Sequence, residues 1–283
     1  MIVYGYSALM KINKPRARGF TLLEITVVLF ILGLMIAGLF GPLETQLEAR
    51  DRRQTQDALQ QILDALYGYA LTHGRLPCPD TDKDGRPNPE FETAKPATAI
   101  CTATVGILPW SELAVPQGDA WGNRFTYAVS YPAYTRPDTD GLCNGDAGDE
   151  DEDHFDLCTT GALTVESRGD DPSSPSTQEG KARLKTYATG LPAVVISHGR
   201  NGFGAQTITG VELPAPTGDD ERQNFRVGQD QKKPFMSRGY SRGGSGCADN
   251  ETESTPLCEY DDLVVWLAPT ILNGRMVSAG RLP

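Results

Sequence analysis

The side chains of this sequence that could bind a ligand are clusters of carboxylates. Asp80-Thr-Asp82-Lys-Asp84-Gly85 places three acids at alternate positions ahead of a glycine. Hard cations such as calcium take six to eight oxygen ligands, and this spacing supplies three of them while the glycine permits a turn. The stretch predicts either a calcium loop at Asp80, Asp82 and Asp84 or a solvated acidic turn. It does not predict an EF-hand, because Phe91 stands where the bidentate acid is needed.

A second acidic stretch surrounds Cys143. Its oxygen-bearing side chains are Asp138, Asp140, Asn144, Asp146 and the run Asp149-Glu-Asp-Glu-Asp153. Runs of like charge usually stay solvated. Metal binding is the alternative interpretation of this stretch.

Nucleophilic or zinc-dependent catalysis has little support in the sequence. The histidines are His73, His154 and His198, which are far apart and lack the spacing of a zinc site. Ser197 adjoins His198, but neighbours on a strand point to opposite faces, which prevents a contact between base and nucleophile. The chain contains no G-x-S-x-G elbow, phosphate-binding loop or dinucleotide fingerprint. The sequence therefore predicts a protein that is not an enzyme.

An apolar segment near the N-terminus is the strongest structural signal. The run from Ile25 to Phe40 contains no charged residue. The cations of the leader that precedes it are Lys11, Lys14, Arg16 and Arg18. A helix over residues 20–43 rises about 1.5 Å per residue, which is enough to cross a hydrocarbon core of about 30 Å. Basic leaders stay cytoplasmic, so residues 44–283 are predicted to lie outside. Glu24 costs about 2.5–3.5 kcal/mol within such a segment and indicates a functional contact.

The residues around Glu24 also carry a family resemblance. Arg18-Gly-Phe-Thr-Leu-Leu-Glu24, between the basic leader and the apolar run, resembles the class III signal of type IV pilins and of the pseudopilins of type II secretion. The resemblance implies that residues 1–19 are a leader peptide, which a prepilin peptidase removes after Gly19. It further implies that the new N-terminal Phe20 is methylated and that Glu24 pairs with the N-terminus of a neighbouring subunit. A plain membrane anchor with a stray glutamate is the alternative.

Three interior stretches resemble those of major pseudopilins, in the same order. Asp119-Ala-Trp-Gly-Asn-Arg-Phe125 is similar to their D-x-W-G-x-x-aromatic stretch, and Ser197-His-Gly-Arg-Asn-Gly202 is similar to their S-x-G-x-(D/N)-G turn. Asp261-Asp-Leu-Val-Val-Trp266 resembles the acidic strand that ends in tryptophan. Calcium lies in the loop before that strand in major pseudopilins, which implies Asp261 and Asp262 as calcium ligands. The long insertion over residues 203–260 departs from the family pattern.

Hydrophobic periodicity predicts a long N-terminal helix followed by short strands, and the resemblance implies an α+β fold in which this helix packs on a small antiparallel sheet. Apolar residues at three- and four-residue steps extend an amphipathic helix from Glu44 to Leu71. Pro42 stands within the helix and can kink it. Segments rich in branched and aromatic residues predict four strands, at 124–130, 162–165, 193–197 and 263–267. Residues 169–180 and 213–238 are polar and predict mobile segments.

Charge and cysteine content indicate an oxidising compartment. The net charge of −11 argues against a nucleic-acid surface and favours divalent cations or basic partners. All six cysteines follow the apolar segment, which fits a disulfide framework with long stapled loops. Several pairings are open. We favour neighbours, namely Cys78–Cys101, Cys143–Cys158 and Cys247–Cys258.

Together with the apolar segment, the resemblance predicts a pseudopilin-like structural subunit of a type II secretion or type IV pilus filament. The resemblance implies a bacterial inner-membrane protein with a periplasmic head, assembled through its N-terminal helix. Its implied partners are a prepilin peptidase, other pilin or pseudopilin subunits, the inner-membrane assembly platform and the lipid bilayer. The alternative is a calcium-stabilised adhesin or cargo-binding module on the same anchor, for example at a pilus tip.

Overall fold

The computed structural model describes residues 19–89, 101–135, 155–168, 184–225, 233–249 and 257–282, without the side chains of 37–44. The chain divides into two units, Met1–Ala49 and Arg50–Pro283. Helix α1 is continuous over Leu22–His73 and belongs to both, so Pro42 does not end it.

In the first unit, α1 exposes its apolar surface. Every large apolar side chain from Phe20 to Ile36 is at least 46% exposed. Within the described ranges, no helix is long and apolar enough to cross a membrane. The membrane span predicted at residues 20–43 is therefore not confirmed.

The second unit is α+β, as predicted. After α1 its elements are β1 (Val105–Ile107), β2 (Thr126–Val129), β3 (Leu163–Ser167), β4 (Lys185–Leu191), β5 (Ala193–Ser197), α2 (Asp219–Asn224), β6 (Phe235–Met236), β7 (Ser241–Arg242), β8 (Glu259–Tyr260), β9 (Leu263–Trp266) and α3 (Pro269–Ser278). The four predicted strands correspond to β2, β3, β5 and β9. Most of the additional strands have only two or three residues, too few for a periodic pattern to show.

The central sheet is antiparallel, with the strand order β1-β2-β5-β9. Val195 at its centre pairs with Tyr127 on one side and Val265 on the other. Strand β3 does not join this sheet, contrary to the expectation of one sheet. It lies in a second sheet, β4-β3-β6, in which β6 runs parallel to β3. Strands β7 and β8 form a short third sheet.

Both faces of the central sheet are covered. Ala193 and Val195 of β5 belong to one apolar cluster with the amphipathic half of α1 and with α3. Val194 and Ile196 point the other way and share a cluster with the second sheet. Strand β5 is therefore buried along its whole length, which explains why it reads as a continuous apolar run.

The helix repeat predicted for the second half of α1 forms the core. Leu59, Ile62, Leu66 and Ala70 are nearly fully buried, while Asp57 and Asp64 between them are exposed. Burying these apolar side chains against the sheet contributes about 1.5–3 kcal/mol for each large residue.

Two predicted disulfides are present. Cys78 is bonded to Cys101, and Cys247 is bonded to Cys258. Cys158 is also in a disulfide, whereas Cys143 lies outside the described residues.

The expectation of a mobile segment over residues 213–238 is wrong for the parts that the structure describes. Helix α2 and strand β6 lie there, and Asp220, Glu221 and Asn224 are buried. The buried side chains of this segment are polar and are hydrogen-bonded or ion-paired. A hydropathy pattern predicts such polar residues to be exposed. The other predicted mobile segment, 169–180, lies outside the described residues.

Candidate functional site

Asp119 begins the first of the three interior stretches, residues 119–125, and its carboxylate accepts hydrogen bonds from several parts of the chain. Its Oδ1 accepts hydrogen bonds from the backbone N–H groups of Trp121 (3.0 Å) and Asn123 (2.9 Å). Its Oδ2 accepts a hydrogen bond of 2.7 Å from the hydroxyl of Ser197. Burial raises the pKa of Asp119, against these hydrogen bonds. The carboxylate therefore ties the turn before β2 to the end of β5.

The loop that follows β5 joins all three stretches. Asn123 donates from Nδ2 to the carbonyl of Gly199 over 3.0 Å, and the backbone N–H of Asn201 donates to Oδ2 of Asp261 over 2.8 Å. Gly199 has a φ of 61°. A Cβ added there would lie 2.6 Å from Oδ1 of Asp261, so only glycine fits beside this carboxylate.

Asp261 and Asp262 lie between β8 and β9, in a buried cluster with Glu221 of α2. One carboxylate oxygen from each of the three acids lies within 4.8 Å of the others. The exposed fractions are 2% for Glu221, 5% for Asp261 and 3% for Asp262. Oε1 of Glu221 accepts hydrogen bonds of 3.1 Å from the backbone N–H of Asp261 and from Nδ2 of Asn201. The structure thus brings together the two acids that the resemblance implied and adds a third.

Burial and the neighbouring acids raise the pKa of Glu221 and of Asp261. Burial, followed by the charge of Asp262, raises the pKa of Glu221 to about 8. Burial also raises the pKa of Asp261 to about 6, with Asp262 and Glu259 contributing in the same direction. A bound cation would reverse both effects, because it favours the ionised carboxylates.

Two oxygens of the cluster have no hydrogen-bond partner. Oδ1 of Asp261 and Oδ1 of Asp262 are buried and accept no hydrogen bond within the described part of the chain. Leaving a buried acceptor unpaired costs about 1–3 kcal/mol. The atoms of this cluster that could coordinate a metal are all carboxylate oxygens, the ligand type that calcium prefers. These observations fit a hard divalent cation.

His198 forms part of the wall of this cluster. The ring is 1% exposed, and its Nδ1 lies 3.6 Å from Oδ1 of Asp262. The other ring nitrogen, Nε2, is hydrogen-bonded to the hydroxyl of Thr126 over 2.9 Å. Oδ2 of Asp262 accepts a hydrogen bond of 2.8 Å from Asn224. The hydroxyl of Ser197 donates to Asp119 rather than to His198.

Glu221 is the member of this cluster that the sequence did not predict. It stands in the acidic run Asp219-Asp-Glu221, inside the long insertion. That run was a usable signal, but nothing in the sequence relates it to Asp261, which lies 40 positions away.

A buried ion-pair network holds α2 in place. Arg168 donates from Nη2 to Oδ1 of Asp220 over 2.8 Å, and Arg238 donates from Nε to Oδ2 of Asp220 over 2.6 Å. Arg238 also reaches Asp249 at 3.3 Å. The side chains of these four residues are at most 1% exposed. Because Asp220 immediately precedes Glu221, the network also fixes the position of the cluster's third acid.

The spacing of Asp80, Asp82 and Asp84 does bring one oxygen from each within 4.8 Å of the others. Asp80 is buried, and its two oxygens accept hydrogen bonds from the backbone N–H groups of Lys83 (2.6 Å) and Gly85 (2.7 Å). Its carboxylate is therefore already used to close the turn. The second acidic stretch, from Asp138 to Asp153, lies outside the described residues.

The N-terminal site residues stand at the start of α1. Gly19 and Phe20 precede the helix, and the hydroxyl of Thr21 accepts a hydrogen bond of 3.2 Å from the backbone N–H of Glu24. Thr21 is thus the N-cap, and Glu24 lies in the first turn, where the helix dipole favours an acid. Within the described residues, the carboxylate of Glu24 is exposed and has neither a hydrogen bond nor an ion pair.

The comparisons with known proteins bear on this N-terminal segment. Residues 14–40 match the family described as the prokaryotic N-terminal methylation motif, which is the signal motif of type IV pilins and pseudopilins. This motif is typical of type IV pilin-like and pseudopilin precursors, and it implies processing by a prepilin peptidase and assembly with other pilin subunits. Neither the curated proteins nor the solved structures gave a match.

Proposed function

We propose that this chain is a pseudopilin-like structural subunit of a secretion filament. In this proposal a prepilin peptidase cuts after Gly19, and the methylated amino group of Phe20 becomes the N-terminus. The subunit is stored in the inner membrane with its head in the periplasm, and an assembly platform adds it to the filament. Its function in this proposal is mechanical.

The observation that carries this proposal is the coincidence of the methylation motif with an unpartnered apolar helix. The motif covers residues 14–40, and the large apolar side chains of 20–36 are exposed in the single chain. Such a surface needs a lipid or protein environment. Packing against the same helix of neighbouring subunits, with Glu24 paired to an amino terminus, provides one.

The experiment is intact-mass analysis of the protein purified from cells with and without prepilin peptidase. With the peptidase, we expect the mass of residues 20–283 plus one methyl group. Without it, we expect the full chain of residues 1–283. A chain that keeps its first nineteen residues in cells with active peptidase, or that begins at another residue, would overturn the proposal.

We also propose that the head binds calcium at Glu221, Asp261 and Asp262. Three acids supply part of a calcium coordination sphere, which is completed by other oxygens. The unpartnered oxygens of Asp261 and Asp262 favour this cluster over Asp80, Asp82 and Asp84, because Asp80 is already engaged by backbone N–H groups. The bound ion would hold α2 of the insertion against the loop before β9.

A further inference from the structure

The disulfide between Cys247 and Cys258 stands next to the strand that leads into the calcium cluster. Cys258 immediately precedes β8, and β8 is followed directly by Asp261 and Asp262. Cys258 is 5% exposed. The bond therefore fixes the chain just before two of the three clustered acids.

Asp249 connects the same disulfide to helix α2, which carries the third acid. It lies within the short ring of chain that the bond between Cys247 and Cys258 closes. Its Oδ1 accepts a hydrogen bond of 3.0 Å from the backbone N–H of Cys258, and its Oδ2 accepts one of 3.1 Å from the backbone N–H of Asp220. Asp249 is 1% exposed. This buried carboxylate thus joins the disulfide ring to the first turn of α2.

The start of α2 also packs directly against the disulfide. Gly218 is the N-cap residue and has no side chain that could accept a hydrogen bond, so Asp249 supplies the acceptor from another part of the chain. A Cβ added to Gly218 would lie 3.0 Å from Cβ of Cys258 and 3.2 Å from Oδ2 of Asp249. The bond therefore helps to fix the helix on which Glu221 lies.

The carbonyl of Cys258 is bonded to the ion-pair network that holds α2. It accepts hydrogen bonds of 3.1 Å from Nη2 of Arg238 and 2.6 Å from the hydroxyl of Ser241. Nη2 of Arg238 also lies 3.3 Å from Oδ1 of Asp249. The disulfide and the network therefore position α2 together.

We propose that this disulfide is a redox switch for calcium binding, so that Glu221, Asp261 and Asp262 bind the ion tightly only when Cys247 and Cys258 are bonded. The inference rests on the proposed calcium site. Without the bond, part of the binding free energy is spent on bringing the acids together. The switching step is thiol–disulfide exchange. The two cysteine thiols lose two protons and two electrons to the disulfide of an oxidising partner, which becomes a dithiol, and the S–S bond forms. The head then acquires calcium after this oxidation and not before it.

Calcium binding and disulfide formation are linked in both directions. If oxidation strengthens calcium binding, calcium must make the bond harder to reduce by the same factor. A tenfold difference in calcium affinity lowers the reduction potential of the bond by about 30 mV at saturating calcium. The disulfide between Cys78 and Cys101 is the internal control, because it stands beside the Asp80 turn and not beside the cluster.

The test equilibrates the full chain, in mild detergent, with mixtures of reduced and oxidised dithiothreitol, in calcium or in a chelator. Equilibration starts from both the oxidised and the reduced chain. Alkylation of free thiols and peptide mass spectrometry then measure the reduced fraction of each cysteine pair. We expect saturating calcium to lower the midpoint potential of Cys247–Cys258 by at least about 30 mV, for a tenfold linkage. The midpoint of Cys78–Cys101 should not change.

Calorimetric titration with calcium provides the second measurement. The double variant C247S/C258S should bind calcium at least about tenfold more weakly than the oxidised parent, because the acids are no longer held together. The matched control C78S/C101S should bind like the parent. Circular dichroism checks that both variants fold, and the redox titration decides the question without any variant.

Equal calcium affinity of folded C247S/C258S and the parent would overturn the switch and leave the calcium site standing. A midpoint for Cys247–Cys258 that does not respond to calcium would do the same. Equal shifts of both disulfides would show general stabilisation of the fold and would also overturn the switch. If the oxidised parent binds no calcium, both the calcium site and the switch are wrong.

Discussion

The backbone N–H of Asp261 donates a hydrogen bond of 3.1 Å to Oε1 of Glu221, 40 positions earlier in the chain. This bond attaches the long insertion to the loop before β9 and brings three carboxylates into one buried place. Such a cluster is unfavourable while all its members are charged, because like charges at this separation repel in a poorly solvated site. A bound cation or a bound proton must therefore reduce the negative charge of this cluster.

Calcium should stabilise the head through Glu221. At calcium concentrations about 100 times the dissociation constant, binding adds about 2.7 kcal/mol to the free energy of unfolding. For a domain of this size that raises the melting temperature by about 5–10 °C. We expect E221Q to lose most of this rise. The matched control is D219N, on the same helix but half exposed, which should keep it.

The measurement is thermal unfolding of the full chain in detergent, with calcium or with a chelator. Magnesium serves as a second control, since it requires a more rigid octahedral site. If D82N and D84N together remove the calcium effect while E221Q keeps it, the ion binds at the Asp80 turn instead.

The stability of the calcium-free protein should fall as the pH rises. The pKa of Glu221 is raised from 4.5 to about 8, and that of Asp261 from 3.8 to about 6. At a pH between the ordinary and the raised pKa of either group, the folded state binds more protons than the unfolded state. The free energy of unfolding therefore decreases as the pH rises. We expect the contribution of these groups to be fully present below about pH 4 and lost by about pH 8.

Calcium binds the deprotonated cluster, so its effect should follow the opposite course. The rise in melting temperature on adding calcium should be larger at pH 8 than at pH 5. The check is a series of unfolding curves across this range, with E221Q as control, in which the pH dependence should flatten. An equal calcium effect at pH 5 and pH 8 would contradict the assignment.

Glu24 should be needed for assembly and not for processing. E24Q retains shape and polarity but loses the charge that would pair with a neighbour's amino terminus. We expect the peptidase to cut E24Q after Gly19 as it cuts the parent. The yield of filaments should fall at least about tenfold, because a charge-assisted hydrogen bond is lost at each subunit contact. E48Q, further along the same helix, is the control. Normal filaments from E24Q would exclude the pairing.

The parts of the fold that could be predicted from sequence are those set by local apolar pattern. Leu59, Ile62 and Leu66 repeat at helical spacing and are buried on α1, and the branched run Ala193–Ser197 is the central strand β5. Neighbouring cysteines paired where the structure describes both partners. These features depend on residues close together in the chain, where spacing determines the contact.

The parts that could not be predicted depend on contacts between distant polar residues. Asp261 and Asp262 were reached through a resemblance, whereas Glu221 lies in an insertion that has no counterpart there. No periodicity marks such residues, because their burial is compensated by partners that the sequence does not identify.

The position of α2 depends in the same way on Asp220. It accepts hydrogen bonds from both Arg168 and Arg238 in a fully buried network. D220N keeps the volume but removes the charged carboxylate to which both buried guanidinium groups are bonded, which should cost about 3–5 kcal/mol in urea unfolding. D219N, whose ion pair with Arg222 is exposed, should cost at most about 1 kcal/mol. Because the network positions α2, D220N should also reduce the calcium-induced rise in melting temperature. A loss of stability with an unchanged calcium effect would show that Glu221 is positioned independently of Asp220.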